Sequence, residues 1–387
     1  MDTSLVDFSP ALRLALLALL LALLPVSWIW LRQRGTDTRA RLATLTALTM
    51  FLTFDLIVFG AFTRLSDSGL GCPDWPGCYG AASPLGAHAE ILSAQTTMPS
   101  GPVTFSKAWI EMIHRYLAMT VGLLILVIAA VGLARRQALP HSPAWPLATL
   151  AWVIVQGLFG KYTVTLKLYP AIVTLHLLGG LLLLALLAVQ HERFKDRPLP
   201  LAPALRRGAM VALAVLVVQI ALGGWVSTNY AVLACSGFPL CNGEAWPAMD
   251  FANAFTMLRE LGHTGSGEVL GVDALVAIHM AHRGFAVVAA LVLAWLALKL
   301  HQSPATRRFG IGLLLLLAAQ LASGLSNVVL DWPLAAALAH SGGAAGLLLL
   351  LVLLLARART EALDCGPQPA ASSRAPHLES SPSWPRP

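Results

Sequence analysis

Nine long apolar runs constrain this chain more than any other feature of its sequence. About 20 apolar residues, each rising about 1.5 Å in a helix, cross the hydrocarbon layer of a bilayer. Backbone polar groups find no water there, so the runs must be helices rather than open sheets. With 57% hydrophobic and 12% charged residues among 387, the chain cannot fold as a water-soluble domain. The runs lie near residues 11–31, 43–63, 112–134, 147–166, 171–190, 209–229, 271–298, 309–330 and 335–356.

These runs predict an all-α polytopic membrane protein, and the basic residues predict its orientation. Lysine and arginine collect in alternate connections, which the positive-inside rule assigns to the cytoplasm. Two loops with cysteine pairs, roughly 66–108 and 230–270, then face the periplasm from the inner (plasma) membrane, and the C-terminus is cytoplasmic. The net charge of +7 therefore reflects topology, and its distribution gives no indication of nucleic-acid binding. The basic residues are Arg32, Arg34, Arg39, Arg41, Arg135, Arg136, Arg193, Lys195, Arg197, Arg206, Arg207, Lys299, Arg307, Arg308, Arg357 and Arg359.

The sequence contains an internal duplication. Cys72 and Cys78 recur 163 residues later as Cys235 and Cys241, and the order of the matched residues never breaks. Residues 43–190 and 209–356 are therefore predicted to form two pseudo-symmetric four-helix transmembrane bundles with one shared orientation. The other matched pairs are Gln156 and Gln320, Gly160 and Gly324, Pro170 and Pro333, His176 and His340, and His114 and His282.

Three segments lie outside the two predicted bundles. Residues 1–42 are predicted to form one extra N-terminal transmembrane helix and a cytoplasmic linker, because the apolar run lacks the basic start and cleavage site of a signal peptide. Residues 191–208 form a second cytoplasmic linker. Residues 357–387, rich in proline and serine, are predicted to be a disordered cytoplasmic tail that carries Cys365 as the odd thiol. Nothing in the extra helix assigns it a task.

Four histidines lie inside predicted spans at repeat-equivalent positions, where ionisable residues are costly and usually functional. Each is predicted within the first turn or two of a helix entered from the periplasm, so two imidazoles per bundle share one depth. Facing imidazoles on neighbouring helices are what a haem iron needs for axial ligation. A helix–helix hydrogen bond or a zinc site is the alternative. The histidines are His114, His176, His282 and His340, and nearby Gly179, Gly180, Gly342 and Gly343 are expected to let a flat macrocycle approach the backbone.

The two copies differ beside the first histidine of each. Glu111 precedes His114 by three residues, on the same helix face, and the second copy has His279 at that spacing. A carboxylate beside a metal pocket can donate or accept protons, whereas a site without one suits electron transfer. This asymmetry predicts a reactive N-terminal bundle and a permanent cofactor in the C-terminal bundle. The alternative is an interfacial carboxylate paired with Arg115 or Lys107.

Four further polar residues in the spans leave their roles open. Arg115 and Arg283 follow the histidines directly, and they either reach the membrane interface or pair with haem propionates. His279 is expected to be a supporting group rather than a ligand. Asp55 aligns with Gln219 at an offset of 164, which favours hydrogen-bonded packing.

The cysteine loops are best explained by disulfides. Outside the membrane, Cys72–Cys78 and Cys235–Cys241 are predicted to form two short-range bonds. Both can simply staple their loops. The first loop leads into the helix of Glu111 and His114, so a redox-active role for its bond also stays open.

The motifs FGAFTRLSDSGLGCPDWPGC, EMIHRYLA, TLHLLGG, AHRGFA and LAHSGGAAG resemble those of the haem A synthase family over residues 43–356. The resemblance implies two pseudo-symmetric bundles and the oxidation of a haem O methyl group to the formyl of haem A, for haem-copper terminal oxidases. His114, His176 and Arg115 would bind the substrate haem O, with Glu111 as the catalytic acid residue. His282 and His340 would ligate the iron of a resident haem b.

The implied partners are a haem O synthase, cytochrome oxidase assembly factors, an electron donor that the sequence does not identify and membrane lipid, while a homo-oligomer stays open. A membrane di-haem cytochrome b that serves only electron transfer would use the same histidines. A thiol-disulfide oxidoreductase built on the cysteine loops is a third hypothesis. Glu111, with no counterpart in the second copy, argues for the enzyme over the first rival.

Overall fold

The computed structural model describes residues 9–139 and 142–359. Within these ranges the regular secondary structure is helical apart from two short strands, β1 (Leu199–Pro200) and β2 (Ala358–Arg359), which pair in parallel. Residues 360–387, most of the predicted tail including Cys365, lie outside the described residues. The helices are α1 (Ser9–Arg32), α2 (Thr38–Leu65), α3 (His88–Thr97), α4 (Phe105–Ala134), α5 (Ala144–Thr165), α6 (Pro170–Lys195), α7 (Pro203–Thr228), α8 (Phe251–Ala254), α9 (Val272–His301), α10 (Arg307–Val329) and α11 (Leu334–Arg357).

All but α3 and α8 are long and apolar enough to cross a membrane, which makes nine spans in the described part of the chain and confirms the predicted class. Several helices extend beyond the apolar runs because polar residues cap them. The Thr104 side chain accepts a hydrogen bond from the Lys107 N–H, so α4 begins at Phe105 rather than near residue 112. His114 consequently lies in the third turn of α4, deeper than expected.

Each bundle is a ring of four helices. In the first, α2 packs against α4, α4 against α5, α5 against α6, and α6 back against α2. In the second, α7, α9, α10 and α11 close a ring in the same order. The helices α4 and α6 therefore lie diagonally across the first bundle, as α9 and α11 do across the second.

The contact between the bundles is itself two-fold. Helices α6 and α11 occupy equivalent places in the repeat and pack against each other, while α6 against α7 matches α11 against α2. The Thr174 and Thr228 hydroxyls are 3.2 Å apart across the α6–α7 contact. A Cβ on Gly224 would lie 3.0 Å from Leu177, so the glycine permits this close approach. The pseudo-symmetry axis thus runs along the helices, between α6 and α11.

Helix α1 is the one span outside both rings in the described chain. It packs against α4 and, at its C-terminal end, against α2. Its buried residues recur every fourth position or so along one stripe, while Leu12, Leu20 and Leu24 on the other faces are exposed. The buried stripe consists of Pro10, Leu14, Ala18, Ala22 and Ile29.

On the side opposite the cysteine loops, the two copies have equivalent arginine–aromatic contacts, and an ion pair joins the copies. The Arg193 guanidinium stacks on the Trp145 ring in the first bundle, and Arg357 stacks on Phe309 in the second. Arg357 also donates to the buried Glu192 carboxylate at 2.7 Å, next to the β1–β2 pair. The predicted linker 191–208 is therefore tied to the end of α11.

Candidate functional site

The four predicted histidines come from the diagonal helices of each ring. His114 is on α4 and His176 on α6, while His282 is on α9 and His340 on α11. The sequence analysis expected the two histidines of a bundle on neighbouring helices, and this expectation was wrong. A diagonal pair points across the centre of its bundle, where the two imidazoles can face one volume from opposite sides.

In the second bundle the two imidazoles have the separation that a shared metal requires. The ring centroids of His282 and His340 are 6.5 Å apart, and the ring planes cross at 81°. An imidazole nitrogen binds a transition metal at about 2 Å, with its ring centre roughly 1 Å further back, so two axial ligands place their rings about 6 Å apart. The separation of the two rings would fit a single iron held between His282 and His340.

Both of these imidazoles are held by neighbouring side chains or backbone. The Gln219 side-chain amide lies 3.1 Å from the His282 Nδ1. The His340 Nδ1 lies 3.2 Å from both the Ser323 hydroxyl and the Gln320 carbonyl oxygen. A hydrogen bond from Nδ1 to the Gln320 carbonyl oxygen fixes the His340 ring and leaves its Nε2 for a metal, whereas the Gln219 amide nitrogen lies near both ring nitrogens of His282.

In the first bundle the support is different. His114 lies parallel to the Phe59 ring, at 6.4 Å between centroids. The Nδ1 of His176 and both polar atoms of the Gln156 amide are buried without a hydrogen-bond partner within residues 9–139 and 142–359. Buried polar groups are nearly always paired, so this cluster is suited to receive a polar or metal-bearing ligand.

Glycines face all four imidazoles, but they are not the glycines expected from the sequence. A Cβ on Gly60 would lie 3.0 Å from His114, and Gly223 stands in the same relation to His282. Gly160 and Gly324 face His176 and His340 in the same way.

The expected glycines have other uses. A Cβ on Gly179 would overlap the Gln156 side chain, and one on Gly343 would overlap Gln320. Gly180 and Gly342 lie near Ile57 and Val58 of α2. They admit side chains of neighbouring helices rather than a macrocycle.

Glu111 is buried, 4% exposed, and bonds to the first cysteine loop rather than standing free. Its Oε2 accepts a hydrogen bond from the Cys72 N–H at 2.8 Å, and its Oε1 accepts one from Arg115. Arg115 in turn donates to the carbonyl oxygens of Asp74, Pro76 and Gly77. The ion pair thus holds the loop on the helix that carries His114.

The second bundle holds its loop in the same way, with a neutral side chain as the partner of the arginine. Arg283 donates to the carbonyl oxygens of Cys235 and Leu240, at 3.0 and 3.3 Å, and to the His279 Nε2 at 3.2 Å. The His279 Nδ1 donates to the Ala231 carbonyl oxygen. His279 therefore supports the loop and does not face His340.

Both cysteine pairs are disulfides in the structure, and all four sulfurs are buried. The first loop is closed further by Asp74, whose carboxylate accepts from the Tyr79 and Gly80 N–H groups at 2.6 and 2.7 Å. Partial burial, with the charges of Asp74 and Glu90, raises the pKa of the Tyr79 hydroxyl above its ordinary value.

The structure does not support the alignment of Asp55 with Gln219 as equivalent positions of the repeat. Gly60 and Gly223 face equivalent histidines at an offset of 163, so Gln219 corresponds to Leu56, and Asp55 corresponds to Val218. Asp55 and Val218 are both exposed on their helices. Asp55 makes no packing hydrogen bond within the described part of the chain.

Residues 43–352 match the model of a protein family, COX15-CtaA, described as Cytochrome oxidase assembly protein. The chain is 41% identical over 317 residues to a Heme A synthase of Shewanella oneidensis, covering 80% of this chain and 94% of that protein. It is 30% identical over 327 residues to a Heme A synthase of Methylobacterium nodulans, covering 75% and 84%. A Heme A synthase of Shouchella clausii is 28% identical over 244 residues, covering 61% and 73%. The family match leaves out α1.

Proposed function

The chain belongs to the COX15-CtaA family of cytochrome oxidase assembly proteins, and from this membership we propose that it is a haem A synthase. Such an enzyme oxidises a methyl group of haem O to the formyl group of haem A, which haem-copper terminal oxidases use. The observation that carries the proposal is a duplicated pair of intramembrane imidazoles with a buried carboxylate, Glu111, beside only one of them.

The second bundle is proposed to hold the resident haem b through His282 and His340. The 6.5 Å separation of the rings and the contacts from Gln219, Ser323 and Gln320 support this assignment. When bound there, haem b supplies one-electron transfer. The protein's part is to fix both imidazoles and to keep this site in the membrane interior.

The first bundle is proposed to bind the substrate haem O through His114 and His176. The unpaired polar atoms of His176 and Gln156 support a site completed by its ligand. Arg115 contributes by positioning, since its guanidinium is bonded to Glu111 and to loop carbonyl oxygens. A propionate would have to displace those loop contacts in order to reach it.

Glu111 is proposed to handle protons in the reaction. Conversion of a methyl to a formyl group adds one oxygen and removes four electrons, and with water as the oxygen source it also releases four protons. Those protons need an acceptor in a region without bulk water. Glu111 lies about one turn from His114 on α4, and its contact with the Cys72 N–H places it between the pocket and the loop.

The protein is a multi-pass membrane protein, and we assign its cysteine loops to the periplasm and its C-terminus to the cytoplasm. The distribution of arginine and lysine supports this orientation. The proposed partners are a haem O synthase that supplies substrate, assembly factors of the oxidase that take the product, and an electron carrier.

Co-expression with a haem O synthase tests the function. Pigment extracted from membranes should contain haem A only when both proteins are present, with membranes that lack this chain as the control. Folded protein that carries haems B and O but yields no haem A would contradict the proposal and favour an electron-transfer cytochrome.

A further inference from the structure

Helix α1 has a contact that the proposed function does not use. Its loop-side end lies against the first cysteine loop, where Leu14 is 1% exposed. Leu14 belongs to an apolar cluster with Met112 of α4, Ile91 of α3 and the two sulfurs of Cys72–Cys78. One turn earlier, the Pro10 ring faces Gly77 of the same loop, 3.5 Å from where a Cβ on Gly77 would lie.

Within residues 9–139 and 142–359, no helix equivalent to α1 lies against the second cysteine loop. Leu240 occupies the position equivalent to Gly77, and it is 42% exposed. In the first loop a side chain at position 77 would collide with the Ala81 carbonyl oxygen and meet Pro10. The first loop therefore presents a flat surface at the point where α1 rests, and the second presents a leucine there.

The covered loop is also the one that holds Glu111. Gly77 lies beside Pro10, since a Cβ on it would be 3.5 Å from the proline ring, and its carbonyl oxygen accepts a hydrogen bond from Arg115. Cys72, in contact with the Leu14 cluster, donates its N–H to Glu111. The first cysteine loop therefore contacts both α1 and the Glu111 carboxylate.

We propose that α1 is a cover that holds the first cysteine loop on α4, shields its disulfide from reductants and positions Glu111. Pro10 and Leu14 are its positioning residues. The shielding depends only on the packing of α1, whereas the consequence for turnover rests on the proposed function of Glu111.

The test compares Leu14→Ala with Leu12→Ala in the full-length protein, because Leu12 is on the same helix but 62% exposed. Membranes are treated with increasing dithiothreitol, which gives two electrons to each disulfide it converts to two thiols. New thiols are alkylated and assigned by peptide mapping. Leu14→Ala should make Cys72–Cys78 reducible about tenfold faster, since loss of a buried contact raises the open fraction of a local segment. Cys235–Cys241 serves as the internal reference and should keep its rate.

Equal rates in the two variants would overturn the proposal, and so would equal acceleration of both disulfides, which indicates general destabilisation. Leu14→Met should restore protection, because it refills the same volume. With a haem O synthase present, Leu14→Ala should also lower haem A formation at unchanged haem b content. The reduction assay does not depend on haem chemistry, so it reports on the cover even in a protein that makes no haem A.

Discussion

The two bundles hold their disulfide loops in the same way and differ in the side chain that pairs with the loop-binding arginine. In each, an arginine on the histidine-bearing helix binds carbonyl oxygens of a disulfide loop. In the first bundle that arginine pairs with Glu111, and in the second it bonds to His279. A duplicated scaffold has thus kept the contacts that hold its loop while placing a carboxylate, the proposed proton acceptor, in one copy only.

The imidazoles differ in a complementary way. His340 has hydrogen-bonding neighbours at Nδ1, whereas the equivalent atom of His176 has none within the described residues. A fixed ring suits a ligand that stays in place. A ring without a fixed partner suits a ligand that must arrive and leave, as a substrate does. This difference is consistent with the proposed division into a resident haem site and a substrate site.

The largest expected effect comes from substituting the proposed haem-binding histidines of each bundle. His282→Ala or His340→Ala should reduce resident haem to background, because the iron would lose one of its two imidazoles. His114→Ala and His176→Ala should retain that haem and lose only capture of haem O. Haem per polypeptide, measured on purified protein by its pyridine haemochrome spectrum, separates these results. The reverse pattern would exchange the roles of the bundles.

The second effect concerns Glu111 alone. Glu111→Gln should lower haem A formation by about 10²–10⁴-fold, the usual contribution of a general acid or base, and leave haem content unchanged. His279→Gln is the matched control in the second bundle and should change formation little. Pigment analysis and haem stoichiometry on the same membranes provide both readouts. Parallel loss of haem and activity in Glu111→Gln would instead make Glu111 a structural residue.

The third effect compares the two clamping arginines by stability. Arg115→Ala leaves the buried Glu111 carboxylate without its cation, which costs about 3–5 kcal/mol. Arg283→Ala leaves only a neutral imidazole and loop carbonyl oxygens, which costs about 1–3 kcal/mol. Thermal unfolding in detergent should rank the variants in that order. Adding Glu111→Gln to Arg115→Ala should recover part of the loss, and the absence of any recovery would show that the ion pair is not the cause.

Much of this arrangement could be predicted from sequence, because its signals are local. The apolar runs predicted the nine spans in the described chain, and the repeat located the histidines and the cysteine pairs. The Thr104 cap was also readable, as a threonine directly before a helix.

Other features depend on contacts between distant segments, which periodicity does not encode. The diagonal placement of the histidines follows from the order of helices around each ring. Gly60 and Gly223 matter because imidazoles from another helix lie against them. Arg115 binds carbonyl oxygens whose positions depend on the fold of residues 74–77. Sequence patterns therefore locate the candidate ligands but not the residues that surround them.

The smallest expected effect concerns the hydrogen-bonding neighbours of the His340 and His176 imidazoles. Ser323 contacts the Nδ1 of His340, and the residue at the equivalent position of the repeat is Phe159, which has no hydroxyl to offer His176. Ser323→Ala should weaken retention of the resident haem about tenfold, at the lower end of what loss of a ligand-orienting hydrogen bond costs. The control is Ser326→Ala, one turn further on, because that exposed hydroxyl donates to the Ala322 carbonyl oxygen of its own helix and to no other group in the described part of the chain. Haem transfer to excess apomyoglobin measures retention in both variants. Equal transfer rates would mean that Ser323 does not orient His340, and that the bundles differ in Glu111 rather than in imidazole support.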